Sequence, residues 1–270
     1  MIQHLNHLEL LSGNSKVKKF NLKKKVVCLT SYNKFSAQIA DKYCDLILVG
    51  DSVGMAYYGD KSTRFVSIQE IIRHGKSVRQ GVKNAILVVD MPYGTYKNSP
   101  EAVKNAKKIV KETKCDAVKI EGGYEVSLIA KNIIKNKINV MGHIGLQPQK
   151  IKKNDHYRVI GHTFSEQEKL FKDIDCLQKA GVFSIVVEAV KNKVSNELVK
   201  KSKVPIIGIG ASKNCHGQVL VLEDMLGMFE KVPKFVKRYS NLNRYIEKAI
   251  QKYSKDVRNE KFPSTQNIYK

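Results

Sequence analysis

Leu46-Ile47-Leu48-Val49-Gly50-Asp51 sets the pattern that most restricts this chain: a short, unbroken apolar run that ends in a glycine and an acid. A run of that length without polar alternation reads as a strand buried on both faces. The pattern returns at Ala85-Ile86-Leu87-Val88-Val89-Asp90, Ala117-Val118-Lys119-Ile120-Glu121 and Ser184-Ile185-Val186-Val187-Glu188. Each of these strands delivers a carboxylate at or near its C-terminal end. A fold that gathers strand ends in one place therefore collects Asp51, Asp90, Glu121 and Glu188 into one site.

Strands are expected at 25–32, 45–51, 85–91, 117–121, 139–145, 184–188 and 205–211, with a fainter eighth at 218–222. Helices are expected between them. Asn33 is placed to cap one over 35–43, and Ser67-Ile68-Gln69-Glu70 has the form of a capping box for one that runs to Arg79. Ser99-Pro100-Glu101 puts proline at the first helical position of a Lys-rich helix that runs to about Lys114. Others are expected over 125–136, 165–180 and 195–201, and from 233 onward. Residues 3–12 read as a short amphipathic helix. Strand and helix alternate at roughly 25–35-residue intervals, the spacing of βα units. Eight such units in about 250 residues make a (β/α)8 TIM barrel, an α/β fold; an open doubly wound sheet is the second arrangement. No linker argues for two domains. The expectation is a single barrel domain over 1–255, with an N-terminal helical cap and C-terminal helices, and a polar tail over 256–270.

Composition narrows the class. The hydrophobic share of 42% suffices for a large core. No apolar run reaches the ~18 residues that span a bilayer, so no membrane partner is expected. Met1-Ile2-Gln3-His4-Leu5-Asn6 does not have the form of a secretory signal. Cys28, Cys44, Cys115, Cys176 and Cys215 are scattered and odd in number, which fits reduced thiols and a cytoplasmic protein. The formal charge of +23 raises nucleic acid as a partner. Yet 41 lysines against seven arginines are spread through every expected helix, and no nucleic-acid motif accompanies them. A solvated lysine-rich surface and no nucleic-acid partner is the reading taken.

Active sites of barrels lie at the C-terminal ends of strands. Like charges gathered there repel, and a divalent cation relieves them; oxygen donors without a Cys/His pair favour Mg²⁺ over zinc. The structural alternative is that each acid caps a helix or pairs with a lysine. Lys119 shares a strand face with Glu121 and points inward. It either pairs with Glu121, binds a substrate carboxylate, or does both. His143 either contacts substrate, supports a metal-bound acid, or is a core histidine with satisfied hydrogen bonds. Gly208-Ile209-Gly210 reads as a strand end under close approach rather than as a phosphate loop.

Five segments together resemble the ketopantoate hydroxymethyltransferase family: Val49-Gly50-Asp51-Ser52-Val53-Gly54-Met55, Val89-Asp90-Met91-Pro92-Tyr93-Gly94, Val118-Lys119-Ile120-Glu121-Gly122-Gly123, the run Met141 to Gln149, and Ile206-Ile207-Gly208-Ile209-Gly210-Ala211. They stand in the family's order over roughly residues 8–240. The resemblance implies a (β/α)8 barrel, Mg²⁺ and a homo-oligomer, commonly a decamer. It implies transfer of a hydroxymethyl group from the co-substrate 5,10-methylenetetrahydrofolate to 2-oxoisovalerate, giving ketopantoate for pantothenate biosynthesis. By position it implies Asp51, Asp90 and Glu121 as metal ligands, and Asp51, Ser52, Asp90 and Lys119 as substrate-binding residues. It implies Glu188 as catalytic base and His143 in a supporting role. The chain departs from the family pattern at Asn33, Ser212, His216 and the loop 154–162. The competing readings are another Mg²⁺-dependent 2-oxo acid lyase or mutase of the same barrel group, and a basic binding protein on a decayed barrel. The first is expected to carry a cysteine motif in the loop after strand four, and none is there. The second predicts loss of the strand-end acids, and they are intact.

Overall fold

The structure is a computed structural model that describes residue 17, residues 24–151 and residues 157–269. The expected helix over 3–12 and residues 152–156 of the long loop lie outside the described residues. Two compact units are distinguished, Met1–Val221 and Leu222–Lys270.

The first unit holds a closed barrel in which β1 (Val26–Thr30), β2 (Leu46–Val49), β3 (Ile86–Asp90), β4 (Ala117–Glu121), β5 (Asn139–Gly145), β6 (Ser184–Glu188), β7 (Ile206–Ile209) and β8 (Gly217–Leu220) follow one another around the ring. Every neighbouring pair is parallel, and β8 closes onto β1. Helices α1 (Lys34–Ala40), α2 (Ile68–Arg79), α3 (Ser99–Thr113), α4 (Ser127–Lys135), α5 (Phe164–Ala180) and α6 (Asn192–Lys201) separate the first seven strands. This is the (β/α)8 barrel expected from the alternation.

Local chemistry sets the helix starts. The Asn33 side chain accepts from the Ser36 N–H at 2.9 Å and caps α1. Ser67 and Glu70 form the reciprocal capping box of α2, with Ser67 N–H donating to Glu70 Oε2 at 2.7 Å. Asn98 caps α3 ahead of Pro100. Helix α5 begins one residue earlier than expected, because Thr163 rather than Ser165 makes its capping box, with Glu166. Gly181, at φ 95°, ends it.

Period-2 alternation divides the apolar residues into two clusters. Ile47, Val49, Leu87, Val89, Val118, Ile120, Val140, Ile144, Ile185 and Val187 face outward and pack with helix residues such as Ile71, Ile109, Ile133 and Leu177. Cys28, Leu46, Leu48, Ile86, Val88, Ala117, Met141, Val186 and Ile207 fill the interior. Continuing the inner rows toward the C-terminal ends reaches Asp90, Lys119, Glu121, His143 and Glu188. The barrel is thus a dry plug beneath a polar upper layer.

The second unit contains α7 (Leu222–Leu226) and α8 (Leu242–Arg258). Residues 233–241, expected to be helical, are not. Tyr239 N–H donates to Met225 O at 2.8 Å and Asn243 N–H to Gly227 O at 3.2 Å, so this backbone is committed to α7 and its following turn. The expected boundary between residues 255 and 256 falls inside α8.

Candidate active site

Strand register places the polar side chains. Asp90 stands across from Lys119, Glu121 across from His143, and Gly145 across from Glu188. Lys119 Nζ accordingly lies 2.8 Å from Asp90 Oδ1, and both side chains are almost wholly buried. Of the alternatives for Lys119, the direct pair with Glu121 is replaced by this one with Asp90. Glu121 sits two residues further along β4 and faces His143 Nδ1 at 3.4 Å. His143 Nε2 faces Glu188 Oε2 at 3.2 Å, so the imidazole bridges two carboxylates on either side of β5. Gly145 permits the close approach: at its φ of 90°, a Cβ would stand 2.3 Å from the Glu188 carbonyl oxygen.

Asp51 follows Gly50, past the end of β2. Its backbone N–H donates to Asp90 Oδ2 at 3.0 Å, which joins the first two acids. A side chain at 50 would crowd the mouth, since a Cβ there would lie 2.8 Å from Ser52 Oγ and 3.6 Å from Asp90 Oδ2. Ser52 Oγ is 2.8 Å from the hydroxyl of Tyr32, which is buried.

The structure therefore brings Asp51, Asp90, Lys119, Glu121, His143 and Glu188 into one connected line, with Ser52 at its edge. Reading the sequence for site residues missed three others. Tyr32 backs Ser52. Gln149, in the 3-10 turn Pro148–Lys150, donates from Nε2 to Asp51 Oδ2 at 2.7 Å and from its backbone N–H to Glu121 Oε2 at 3.0 Å. Tyr96 donates to Gln149 Oε1. Gln149 ends one of the motif segments, and that was its one signal. Nothing in spacing alone marks Tyr32 or Tyr96.

Burial and crowding act on these groups together. Burial, then Asp90 and Glu121, push the Asp51 carboxyl well above the ordinary carboxylate range. Burial raises Asp90 as well, against the pull of Lys119. Burial by itself would raise Glu121, but His143 and Lys119 outweigh it and hold Glu121 below the ordinary range. Burial would lower His143, yet Glu121 and Glu188 bring it up to about 9. Burial works against the Lys119 ammonium too, but Asp90, Glu121 and Asp51 more than compensate and raise it.

Four carboxylates thus face two cationic side chains, an imbalance toward negative charge in a nearly dry cavity. Asp90 Oδ1 and both His143 nitrogens are buried without an aligned hydrogen bond, although charged groups stand near each. Among the described residues no three His, Cys, Asp or Glu side chains converge into a closed metal shell. A buried, oxygen-rich, negatively charged strand-end site still has the donor chemistry of a hard divalent cation.

Comparison with known proteins bears on this geometry. The sequence profile of the family described as ketopantoate hydroxymethyltransferase matches residues 14–265. The 3-methyl-2-oxobutanoate hydroxymethyltransferase of Pelagibacter ubique (strain HTCC1062) is 48% identical over 259 residues, covering 95% of this chain and 100% of that protein. The enzyme of the same name from Bartonella henselae is 46% identical over 246 residues, covering 91% of this chain and 90% of the relative. Among solved structures, a 2,3-dimethylmalate lyase of the PEP mutase/isocitrate lyase superfamily superposes with a TM-score of 0.61 at 9% identity, over 98% of this chain and 88% of that one. A phosphonopyruvate hydrolase in complex with oxalate and Mg²⁺ gives a TM-score of 0.58 at 11% identity, over 90% of this chain and 88% of that one. At such low identity these two likenesses speak for the fold alone.

Proposed function

The chain belongs to the ketopantoate hydroxymethyltransferase family, and from that premise we propose how its strand-end residues carry out the reaction. The activity is transfer of a hydroxymethyl group to 3-methyl-2-oxobutanoate, forming ketopantoate in pantothenate biosynthesis. The donor in this proposal is 5,10-methylenetetrahydrofolate, acting as co-substrate.

Asp51 and Asp90 would hold a Mg²⁺ ion, with Glu121 completing the set. The surplus of carboxylates over cations at the barrel mouth is the observation in its favour. Bound there, the ion supplies Lewis-acid chemistry at the keto oxygen. Lys119 and Ser52 bind the substrate carboxylate and keto end. Lys119 is suited to this because its ammonium is held charged in a dry site. Glu188 removes the proton from C3 of the 2-oxo acid and so generates the enolate. His143 holds the Glu188 carboxylate from the neighbouring strand β5 and keeps it aimed into the barrel mouth. C3 then forms its new bond to the one-carbon unit, water supplies the hydroxyl oxygen, and tetrahydrofolate leaves. The single observation that carries the assignment is the line Glu121–His143–Glu188, set beside Asp90–Lys119 by strand register.

The experiment is exchange of the C3 proton of 2-oxoisovalerate in D₂O with Mg²⁺ and no folate, followed by NMR. Exchange in the native protein and its loss by at least ~10²-fold in Glu188→Gln is the expected pair of results. Undiminished exchange in that variant would remove Glu188 as the base.

Self-association, as a homodecamer, belongs to the same proposal. Tyr245, Ile246, Ile250, Tyr253 and Val257 on α8 are all exposed, and a helix carrying such a stripe is suited to a subunit contact. Light scattering on the purified protein measures it. A cytoplasmic location is proposed with it. The thiols of all five cysteines are free, as a reducing compartment keeps them. Among the described residues, no helix is long and apolar enough to cross a membrane.

A further inference from the structure

Gln149 is a neutral amide, 2% exposed, set among three strand ends. Its Nε2 donates to Asp51 Oδ2 at 2.7 Å and to Met91 O at 3.1 Å, and its backbone N–H donates to Glu121 Oε2 at 3.0 Å. Its Oε1 accepts from the Tyr96 hydroxyl. These partners fix which way the amide points. Nε2 faces two acceptors and Oε1 faces a phenol donor, so a flipped amide would set oxygen against two oxygens.

The chemistry of the position explains the residue type. A carboxylate at 149 would stand against Asp51 and add to an already negative site. An aliphatic side chain would leave Asp51 Oδ2 and Met91 O without their amide donor in a buried setting, and would leave the Tyr96 hydroxyl with only the Glu121 backbone, whose N–H donates to it at 3.3 Å. An amide serves all three without adding charge. Its bond to Oδ2 holds the Asp51 carboxylate in one orientation and leaves Oδ1 with no hydrogen bond from the amide. Glu121 is similarly engaged, through Oε2 by the Gln149 N–H and through Oε1 by His143.

We propose that Gln149 is a positioning residue, oriented by Tyr96, that fixes the orientation of the Asp51 carboxylate and holds Glu121 beside it for a divalent cation. The proposal rests on the reading above that Asp51, Asp90 and Glu121 serve a metal. It adds two residues that touch neither metal nor substrate and act through the acids. Groups of this kind commonly govern metal affinity by 10–100-fold.

The test is Mn²⁺ binding to the full-length protein, without substrate, from the EPR signal of free Mn²⁺. Wild type, Gln149→Met, Tyr96→Phe and the double variant are compared, with folding checked by circular dichroism. The expected result is a rise in Kd of about 10–100-fold for Gln149→Met. Tyr96→Phe is expected to give a smaller rise, and the double variant to fall short of the sum of the two, because Tyr96 acts in part through the amide and in part on Glu121, whose N–H donates to its hydroxyl at 3.3 Å. Unchanged Mn²⁺ affinity in folded Gln149→Met overturns the proposal while leaving the metal reading intact. Strictly additive losses in the double variant overturn the role given to Tyr96. Absence of Mn²⁺ binding in the wild type overturns both the metal reading and the proposal built on it. Should Gln149→Met not fold, Tyr96→Phe decides alone: wild-type affinity in it overturns the orienting role, and weakened affinity in a folded protein supports it.

Discussion

Replacing Lys119 by Met removes an ammonium and keeps most of the side-chain volume, so it isolates the charge. Lys119 and Asp90 are 4% and 2% exposed and stand 2.8 Å apart. Asp51 and Glu121 are also close, and both contribute to raising Lys119. The single substitution therefore leaves a buried carboxylate without its cation and increases repulsion among the acids that remain. Breaking a buried pair from one side costs about 3–5 kcal/mol. Removing both charges costs much less, so Asp90→Asn in the same protein should restore most of the loss. The assay is equilibrium urea denaturation of the EDTA-treated protein at pH 7, for the wild type, the two single variants and the double variant.

The pH dependence has a definite sign. Asp90 already binds its proton more tightly in the folded state than in the unfolded state. In Lys119→Met the principal lowering influence is gone, so the folded carboxyl moves higher still. Between the unfolded and folded pKa values the folded state then holds more protons, and stability falls as pH rises. The deficit of Lys119→Met relative to wild type should accordingly be smaller at pH 5 than at pH 7. A deficit below about 1 kcal/mol at pH 7, the scale of a surface pair, would refute the reasoning. A deficit that Asp90→Asn does not relieve would refute it as well.

Gly50→Ala is expected to raise KM for the 2-oxo acid by about tenfold or more, since the added Cβ meets Ser52 Oγ at 2.8 Å; steady-state kinetics measure it. Tyr32→Phe removes the 2.8 Å contact to Ser52 Oγ and should cost about 1 kcal/mol, roughly fivefold in KM, with the fold retained. Asp41 accepts from the backbone N–H groups of Asn84 and Ala85 and ties the end of α1 to the start of β3, so Asp41→Ala should lose about 2–3 kcal/mol in urea denaturation at pH 7. Burial by itself would raise the Asp41 carboxyl, but N–H groups of Ala85, Lys83 and Asn84 outweigh it and hold it below the ordinary range. Its contribution is therefore present above the unfolded pKa and lost as pH falls through the folded one, so the gap between variant and wild type should close in acid.

The barrel was legible because its strands announce themselves by apolar runs, and β1, β2 and β3 do so a second time by the capping signals of the helices after them. Ala117–Glu121, Asn139–Gly145 and Ser184–Glu188 were read to the residue. Boundaries moved where the decisive hydrogen bond was not in the local pattern. Ser165 has the form of an N-cap as much as Thr163 does, and only the backbone course gives the place to Thr163. The segment 233–241 carries helical spacing at Phe235, Val236 and Tyr239. Its N–H groups nevertheless go to Met225 and a following turn, a choice that no window of residues displays.

The site divides along the same line. Its acids were legible because a carboxylate at the end of a buried run is anomalous on its own, before any neighbour is known. Their pairing was not, because it depends on how far one strand is staggered against the next. Lys119 and Glu121 share a face of β4, and a sequence offers them to each other. The stagger of β3 against β4 gives Lys119 to Asp90 instead, and that of β5 against β4 gives Glu121 to His143. That exchange has a chemical consequence. Pairing Lys119 with Glu121 would have left Asp90 and Asp51 as two adjacent carboxylates with no cation and His143 with Glu188 alone. The observed pairing spreads the two positive charges along the line of acids, one at Asp90 and one between Glu121 and Glu188. Among the described residues, Asp51 has no ion pair of its own and is bonded through Oδ2 to a neutral amide. Asp51, whose carboxyl burial and its acidic neighbours push well above the ordinary range, is thus an acid that gains from an arriving cation.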